Sequence, residues 1–200
     1  MTALTRVARF AASLVLTGLL LAACVPTSEN PILSKSGASD PGLIGTWRGK
    51  MEDGGPVYMH FLRTKEGEIS VLLVTGGEKA EADSGWAAFR IVTAEVKGTR
   101  YLSALWDLND GKPVEDREKG YHLLRYVLGA DGTLQLYGVN EEKLTAAVKA
   151  GTVEGKIEGE NTSTEVRLTA SSEKLVKFLK RANPADLFDK PFATLSKEPS

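Results

Sequence analysis

Few side chains in this chain have the types and spacings that suit catalysis or metal binding. The sequence has a single cysteine, Cys24, and two histidines, His60 and His122, which both fall within strand-like runs. A metal site normally recruits several histidine, cysteine or carboxylate ligands that converge on one point. No histidine pair has the close or helical spacing of such a site. We therefore expect no metal, no cofactor and no catalytic residue.

Acidic side chains concentrate in one predicted loop. They are Asp107, Asp110, Glu115, Asp116 and Glu118. Paired carboxylates can act as general acid and base or can bind calcium. Here Lys112, Arg117 and Lys119 are interleaved with them, which favours a solvated charged loop. Motifs for a P-loop, a dinucleotide fold or a serine nucleophile elbow are absent, so the sequence predicts a protein that is not an enzyme.

Cys24 ends a leader that has the three parts of a secretory signal. Arg6 and Arg9 give a positive start, an apolar run follows over 10–21, and Ala22 and Ala23 are small. The segment Leu-Ala-Ala-Cys resembles a bacterial lipobox. This resemblance implies a signal peptide over 1–23, cleavage between Ala23 and Cys24, and covalent lipid (palmitate-type acyl chains) on Cys24. The alternatives are an ordinary secreted protein or a membrane helix, but the apolar run is shorter than the roughly 20 residues a span needs.

The lipobox resemblance also implies a location. Acyl chains on Cys24 partner the protein with a membrane, and more than one chain makes such an anchor stable. We expect the protein to lie in the cell envelope. In a Gram-negative host we expect the periplasmic face of the outer membrane, because Val25 rather than Asp follows the cysteine. In a host with a single membrane we expect the outer face of the cytoplasmic membrane. With its only cysteine used for lipid, the domain has no disulfide.

Net charge argues against nucleic acid as a partner. The formal charge of the chain is −1, and loss of Arg6 and Arg9 with the leader makes it −3. Nucleic-acid affinity depends on clustered lysine and arginine, which this balance does not provide.

Composition divides the rest of the chain into a tether, a β domain and a tail. Proline, serine and glycine dominate 24–42, which predicts a flexible tether that follows the lipidated cysteine. The alternative for Ile32 and Leu33 is local docking on the domain. A β-rich domain is expected over 43–190, and 191–200 is expected to form a loose C-terminal tail.

Short apolar runs separated by glycine turns indicate that the domain is mainly β. Candidate strands cover 44–50, 57–64, 69–75, 87–96, 100–108, 121–128, 134–139 and 166–169, with a weaker one over 153–157. Asn140 is expected to cap a short inserted helix that stops at Gly151, and a second helix is expected to start near Ser171 and reach about Arg181. This pattern favours an antiparallel up-and-down barrel of about eight strands, with a β-sandwich as the alternative.

The first candidate strand carries Gly45-Thr46-Trp47, a Gly-x-Trp that resembles the entry motif of calycin (lipocalin-like) barrels. The resemblance implies that Gly45 allows close approach of the chain, that Trp47 closes one end of the barrel, and that an arginine of the last strand stacks on its ring. Arg167 is the candidate for that arginine. Two departures are the helix inserted among the late strands and the lack of recognisable second and third lipocalin motifs.

These features lead to one main functional expectation. A small closed barrel can hold one small ligand, so we expect an envelope lipoprotein that binds a small apolar ligand without catalysis. The ligand-binding residues are not identified by the sequence. The alternative is a barrel with a solid core whose surface loops contact an envelope protein or the cell wall.

Overall fold

The computed structural model describes residues 26–33, 40–50, 55–76, 85–115, 120–158 and 165–199. Its strands are β1 (Thr27–Ser28), β2 (Gly45–Lys50), β3 (Pro56–Arg63), β4 (Ile69–Thr75), β5 (Gly85–Val96), β6 (Thr99–Asn109), β7 (Lys112–Pro113), β8 (Tyr121–Leu128), β9 (Thr133–Gly138), β10 (Gly155–Glu158), β11 (Glu165–Leu168) and β12 (Pro191–Lys197). Its α-helices are α1 (Glu141–Lys149), α2 (Ser172–Leu179) and α3 (Pro184–Leu187).

Eight of these strands close into an antiparallel ring. The order around the ring is β2, β3, β4, β5, β6, β8, β9 and β12, and β12 then pairs with β2. Glycine turns of the type that the sequence predicts join neighbouring strands, with positive φ at Gly67, Gly98 and Gly132. The expected mainly β barrel is confirmed, and β4 and β8 have the predicted bounds.

The strand that closes the ring is β12, which corrects the expected loose tail. Leu195 of β12 pairs with Leu134 of β9 on one side and with Gly49 of β2 on the other. The run 191–197 is short and mostly exposed, and only Leu195 in it is fully buried. Local composition therefore resembles a tail, whereas the unpaired edges of β2 and β9 provide the hydrogen-bond partners that order it.

Three strands outside the ring, β1, β10 and β11, continue the sheet from β8, and we call them the second sheet. In β1, Thr27 pairs in parallel with Arg167 of β11 and antiparallel with His122 of β8, and β10 pairs with the far side of β11. The candidate eighth strand over 166–169 is thus β11, which lies outside the ring. It lies outside the ring because it pairs with β1 and β10 rather than with a strand of the ring.

Residues 26–33 therefore belong to the fold, which corrects the expected tether over that range. Ile32 is 0 % exposed, and its backbone N–H donates to Ser103 Oγ at 2.9 Å on the outer wall of β6. Leu43, just before β2, is equally buried. Ile32 therefore docks on the domain, which is the alternative that the sequence left open. Residues 24–25 and 34–39 lie outside the described residues.

Two apolar cores result from this arrangement. One fills part of the barrel, and the other lies between the outer wall of β5, β6 and β8, the second sheet and the helices. The predicted cap at Asn140 is present, since its Oδ1 accepts from Lys143 N at 3.0 Å, and the next helix is capped by Ser171, whose Oγ accepts from Lys174 N at 3.4 Å. Phe188, after α3, packs on Tyr101 of β6 with ring centroids 5.6 Å apart.

Deletion of 191–200 tests the role of β12. A loose tail can be removed at no cost, whereas loss of a ring strand exposes the edges of β2 and β9 and the core around Leu195. We expect the deletion to lower the free energy of unfolding by several kcal/mol, comparable to the roughly 5–15 kcal/mol that holds a domain folded. Urea denaturation followed by tryptophan fluorescence measures this, and an unchanged midpoint would contradict the role of β12.

Candidate functional site

Strand register identifies the side chains that face the barrel interior, because cross-strand partners lie on the same face of a sheet. Trp47 pairs with Met59, which pairs with Leu73, and this face continues around the ring. At the end of the barrel near Leu43 the inward apolar side chains are buried, and they are Leu43, Trp47, Phe61, Ile69, Leu102, Tyr126, Leu134, Leu136 and Leu195. We call this half of the interior the closed end.

Trp47 is fixed at the closed end by polar contacts on two sides. Its indole Nε1–H donates to the backbone oxygen of Leu43 at 2.7 Å. Lys197 Nζ lies 5.1 Å from the centroid of the indole ring and donates to the backbone oxygen of Gly42 at 3.2 Å. A cation over an indole contributes about 0.5–1 kcal/mol at an exposed site. Gly45 has φ of 127°, and a Cβ there would lie 3.0 Å from Lys197 Cε.

Arg167 does not occupy the position that the calycin resemblance implies. It lies in β11, outside the ring, and forms an ion pair with Glu29 at 3.4 Å. The cation over Trp47 comes instead from Lys197, because β12 rather than β11 is the last strand of the ring and pairs Lys197 directly with Trp47. The resemblance predicts the type of contact, a last-strand cation on the tryptophan, but not the residue that makes it.

Asp40 contacts three side chains at the closed end of the barrel. Its Oδ2 accepts from the Tyr126 hydroxyl at 2.8 Å and lies 3.6 Å from Arg100 Nη1, while its backbone N–H donates to Thr93 Oγ1 at 3.1 Å. Burial raises the pKa of the Tyr126 phenol, and the hydrogen bond to Asp40 raises it further. Tyr126 is therefore a neutral donor, and this network holds the entry segment against the barrel.

The other half of the interior has smaller or less buried side chains, and we call it the cup. Its inward positions are Gly49, Met59, Leu73, Ala87, Phe89, Ala104, Trp106, Leu124, Gly138 and Ala193. Two glycines and three alanines stand here, whereas the closed end holds Trp47, Phe61 and Tyr126. Met59, Phe89, Trp106 and Leu124 are partly exposed, while Leu73, Ala87 and Ala104 are buried.

An aromatic pair forms one wall of the cup. Phe89 and Trp106 are cross-strand partners whose rings stack, with centroids 6.0 Å apart and planes at 20°. Trp106 Nε1–H donates to the backbone oxygen of Leu108 at 2.8 Å, so its polar group is satisfied and its ring remains available for apolar contact. Sequence reasoning missed this pair because aromatic residues at strand spacing most often belong to a filled core.

The two histidines lie on opposite faces of the barrel wall. His122 pairs with Ala104 and shares its inward face, whereas His60 points outward and contacts Thr46 Oγ1 at 3.0 Å through Nδ1. Desolvation lowers the pKa of His122, so its imidazole is neutral at pH 7 and offers one hydrogen-bond donor and one acceptor. On the inward face, His122 is the cross-strand partner of Ala104 and lies two residues from Leu124 along β8.

The predicted acidic loop does not form a carboxylate site among the described residues. Asp107 is engaged by Arg90 through two hydrogen bonds of 2.7 and 3.0 Å, which raise the pKa of that guanidinium. Asp110 accepts from the backbone N–H of Trp86 at 2.8 Å. Asp116 and Glu118 lie outside the described residues. Within the described part of the chain, no group of three or more histidine, cysteine or acidic residues is placed to hold a metal.

Ala23 and Cys24, the residues of the predicted cleavage and lipidation site, lie outside the described residues. None of the described helices has the length and apolar character needed to cross a membrane. In comparisons with known proteins, no family model, no curated protein and no solved structure matches the chain. The closed eight-stranded barrel is compatible with a calycin-like fold.

The lowered pKa of His122 predicts how stability depends on pH. In the unfolded chain the imidazole has its ordinary pKa of about 6.5, so the unfolded state takes up a proton first as the pH falls. The free energy of unfolding should therefore decrease as the pH falls below about 6.5, down to the pKa of the folded state. Replacing His122→Gln should remove this contribution, which urea denaturation between pH 7.5 and about 5 measures.

The matched control is His60→Gln on the outer face of the wall. It should leave the contribution of His122 to the pH profile in place. A His122→Gln profile that overlays that of the unmodified protein would show that His122 is not desolvated in the folded barrel.

Proposed function

We propose that this protein is a lipid-anchored, calycin-like binding protein of a bacterial cell envelope that holds a small apolar ligand in the cup and does not catalyse a reaction. The observation that carries the proposal is the contrast within one barrel. The closed end is filled by large side chains such as Trp47 and Phe61, whereas the cup is lined by small and partly exposed apolar residues. Ligand sites in proteins are mostly apolar concavities with a few placed polar groups, and the cup has that character.

The lining indicates the class of ligand. Phe89, Trp106, Met59 and Leu124 offer aromatic and flexible aliphatic surface, and each 100 Å² of apolar surface removed from water contributes about 2.5 kcal/mol. His122 is neutral and can make one or two hydrogen bonds with a polar end of the ligand. An apolar molecule with a single hydroxyl, carbonyl or carboxylic acid group fits this set of contacts.

Three features support binding rather than catalysis. His122 and His60 are on opposite sides of the barrel wall, so they cannot act on one substrate. Asp107 and Asp110 are engaged in contacts that hold β5 to β6. Cys24, if lipidated, leaves the domain without a thiol nucleophile.

The anchor part of the proposal rests on the lipobox resemblance at Cys24. Only Val25 and Pro26 separate Cys24 from β1, and the three residue steps from Cys24 to Thr27 span no more than about 11 Å even when extended. A lipid on Cys24 would therefore hold the barrel close to the membrane surface, rather than at the end of a long tether.

The second candidate function is a protein–protein module, and one observation favours it. The outer wall of β3 to β5 exposes Leu62 and Trp86, which are 58 % and 37 % exposed. Apolar side chains on an outer wall can contribute to an interface. This function requires no ligand in the cup, so the experiments below separate the two.

A large side chain placed in the cup should weaken ligand binding. The neutral probe N-phenyl-1-naphthylamine gains fluorescence in apolar sites, and we expect it to bind the protein in a saturable manner. Ala104→Phe places a ring in the cup and should weaken binding by about tenfold or more, because the probe and the new side chain compete for one volume. Fluorescence titration measures the dissociation constants.

The control for this experiment is Ala88→Phe, the same change on the outward face of the neighbouring strand β5. It should leave the dissociation constant unchanged. Native mass spectrometry of protein released from its own envelope then identifies what occupies the cup. Equal effects of the two variants, or no saturable binding by the unmodified protein, would favour the interaction module.

Lipidation is tested on the residue itself. Cells that express the protein are grown with radiolabelled palmitate, and the chain should carry label and sediment with membranes. Cys24→Ser should lose the label and accumulate as uncleaved precursor, because the thiol is the acceptor of the lipid. Val25→Ala, the matched control, should retain the label, and a labelled Cys24→Ser protein would contradict the lipobox assignment.

A further inference from the structure

A second concavity lies on the outside of the barrel, where β12 meets β2. This outer groove has a volume of about 420 Å³ and is lined by Arg48, Gly49, Lys50, Pro191, Phe192, Ala193, Thr194 and Ser196. Trp47 and Leu195, the neighbours of these residues along the two strands, face the interior. Because side chains alternate along a strand, Arg48, Lys50, Thr194 and Ser196 face outward, whereas Gly49 and Ala193 belong to both the groove and the cup.

The outer groove concentrates positive charge. Arg48 and Lys50 are exposed, and neither forms an ion pair with any residue that the structure describes. Among the residues that the structure describes, those that line the groove include no carboxylate. Glu198, just after β12, is held beside Thr46 by a backbone hydrogen bond of 2.9 Å. Two exposed cations on adjacent positions of one strand face attract an oxyanion.

Hydroxyl groups stand opposite these cations. Ser196 pairs with Arg48 across the β12–β2 ladder, and Thr194 lies two residues away on the same face, beside Lys50. Each hydroxyl can donate one hydrogen bond to an anion, and arginine can donate two in parallel. The groove therefore offers a set of donors from two strands that are fixed by their ladder, rather than from a loop.

Aromatic rings flank the donors. Phe192 lies at one end of the groove and is 45 % exposed, although it is a large apolar side chain. On the far side of Arg48, the Tyr58 ring lies under the guanidinium with its centroid 5.8 Å from Cζ, which orients the cation. An exposed phenyl ring beside two cations favours a ligand that has an apolar plane as well as a negative charge.

We propose that the outer groove binds a small molecule in which an oxyanion, carboxylate or phosphate, is attached to a flat ring. The oxyanion contacts Arg48, Lys50 and the hydroxyls of Thr194 and Ser196, and the ring covers Phe192. The groove is open to solvent along its length, so the bound molecule would lie on it rather than be enclosed. The four donor side chains face away from the cup.

Four probes separate the two halves of the recognition. Benzoate and phenyl phosphate carry both ring and oxyanion, benzyl alcohol carries only the ring, and inorganic phosphate carries only the charge. The full chain in a neutral detergent is titrated with each probe and followed by amide NMR shifts. We expect saturable shifts at Arg48, Lys50, Phe192 and Ser196 for benzoate or phenyl phosphate, and about tenfold weaker binding of the other two probes. The tighter of the first two shows whether the oxyanion is a carboxylate or a phosphate.

Variants test the assignment to these residues. R48Q/K50Q should weaken binding of the ringed anion by about tenfold or more, while the matched double variant R63Q/K65Q, which removes two exposed cations elsewhere, should not. F192A should weaken the ringed anions but leave inorganic phosphate unchanged. If R48Q/K50Q fails to fold, the NMR shifts of the unmodified protein and the affinities of F192A still test whether the ringed anion binds at these residues. The proposal is overturned if neither ringed anion saturates at millimolar concentration, if inorganic phosphate binds as tightly as phenyl phosphate, or if R63Q/K65Q causes an equal loss.

Discussion

Hydrogen bonding of β12 to both β9 and β2 turns an open, twisted sheet into a closed barrel, and the interior exists only because of that closure. Closure places Leu195 in the core beside Leu134 and brings Lys197 over Trp47. It also removes the two sheet edges that would otherwise be open to other chains. Both concavities depend on it, since the cup is enclosed by the ring and the outer groove lies along the seam between β12 and β2.

The size of the inward side chains decides what the barrel contains. An eight-stranded barrel has an interior just wide enough for side chains to fill it or for one small ligand. At the closed end, Trp47, Phe61 and Tyr126 meet across the ring, and Asp40 ties the entry segment to Tyr126. In the cup, smaller residues stand on the inward face, among them Gly138 and Ala104.

A second layer outside the ring explains why the entry and late segments are ordered. The N-terminal residues 26–33 enter between β8 and β11, where Thr27 has strand partners on both sides and Ile32 covers Ser103. The helices then cover this layer, with Phe188 packed on Tyr101. This arrangement ties the chain next to Cys24 directly to the barrel wall, so an anchor on Cys24 would limit how far the domain can stand from a membrane.

Local patterns in the sequence determined the fold class, the strand bounds of β4 and β8, the glycine turns and the cap at Asn140. These features depend on side-chain alternation, φ preference and capping within a few residues. The presence of a tryptophan at the barrel entry was also readable from Gly45-Thr46-Trp47. Only the tertiary structure decided which strand closes the ring, since β12 is ordered by the edges of β2 and β9 and not by its own composition. It likewise decided that Lys197 rather than Arg167 covers Trp47, and that the small inward residues Gly49, Ala104 and Gly138 share one half of the interior. These outcomes depend on which residues face each other across the ring, and no single segment of the sequence contains that information.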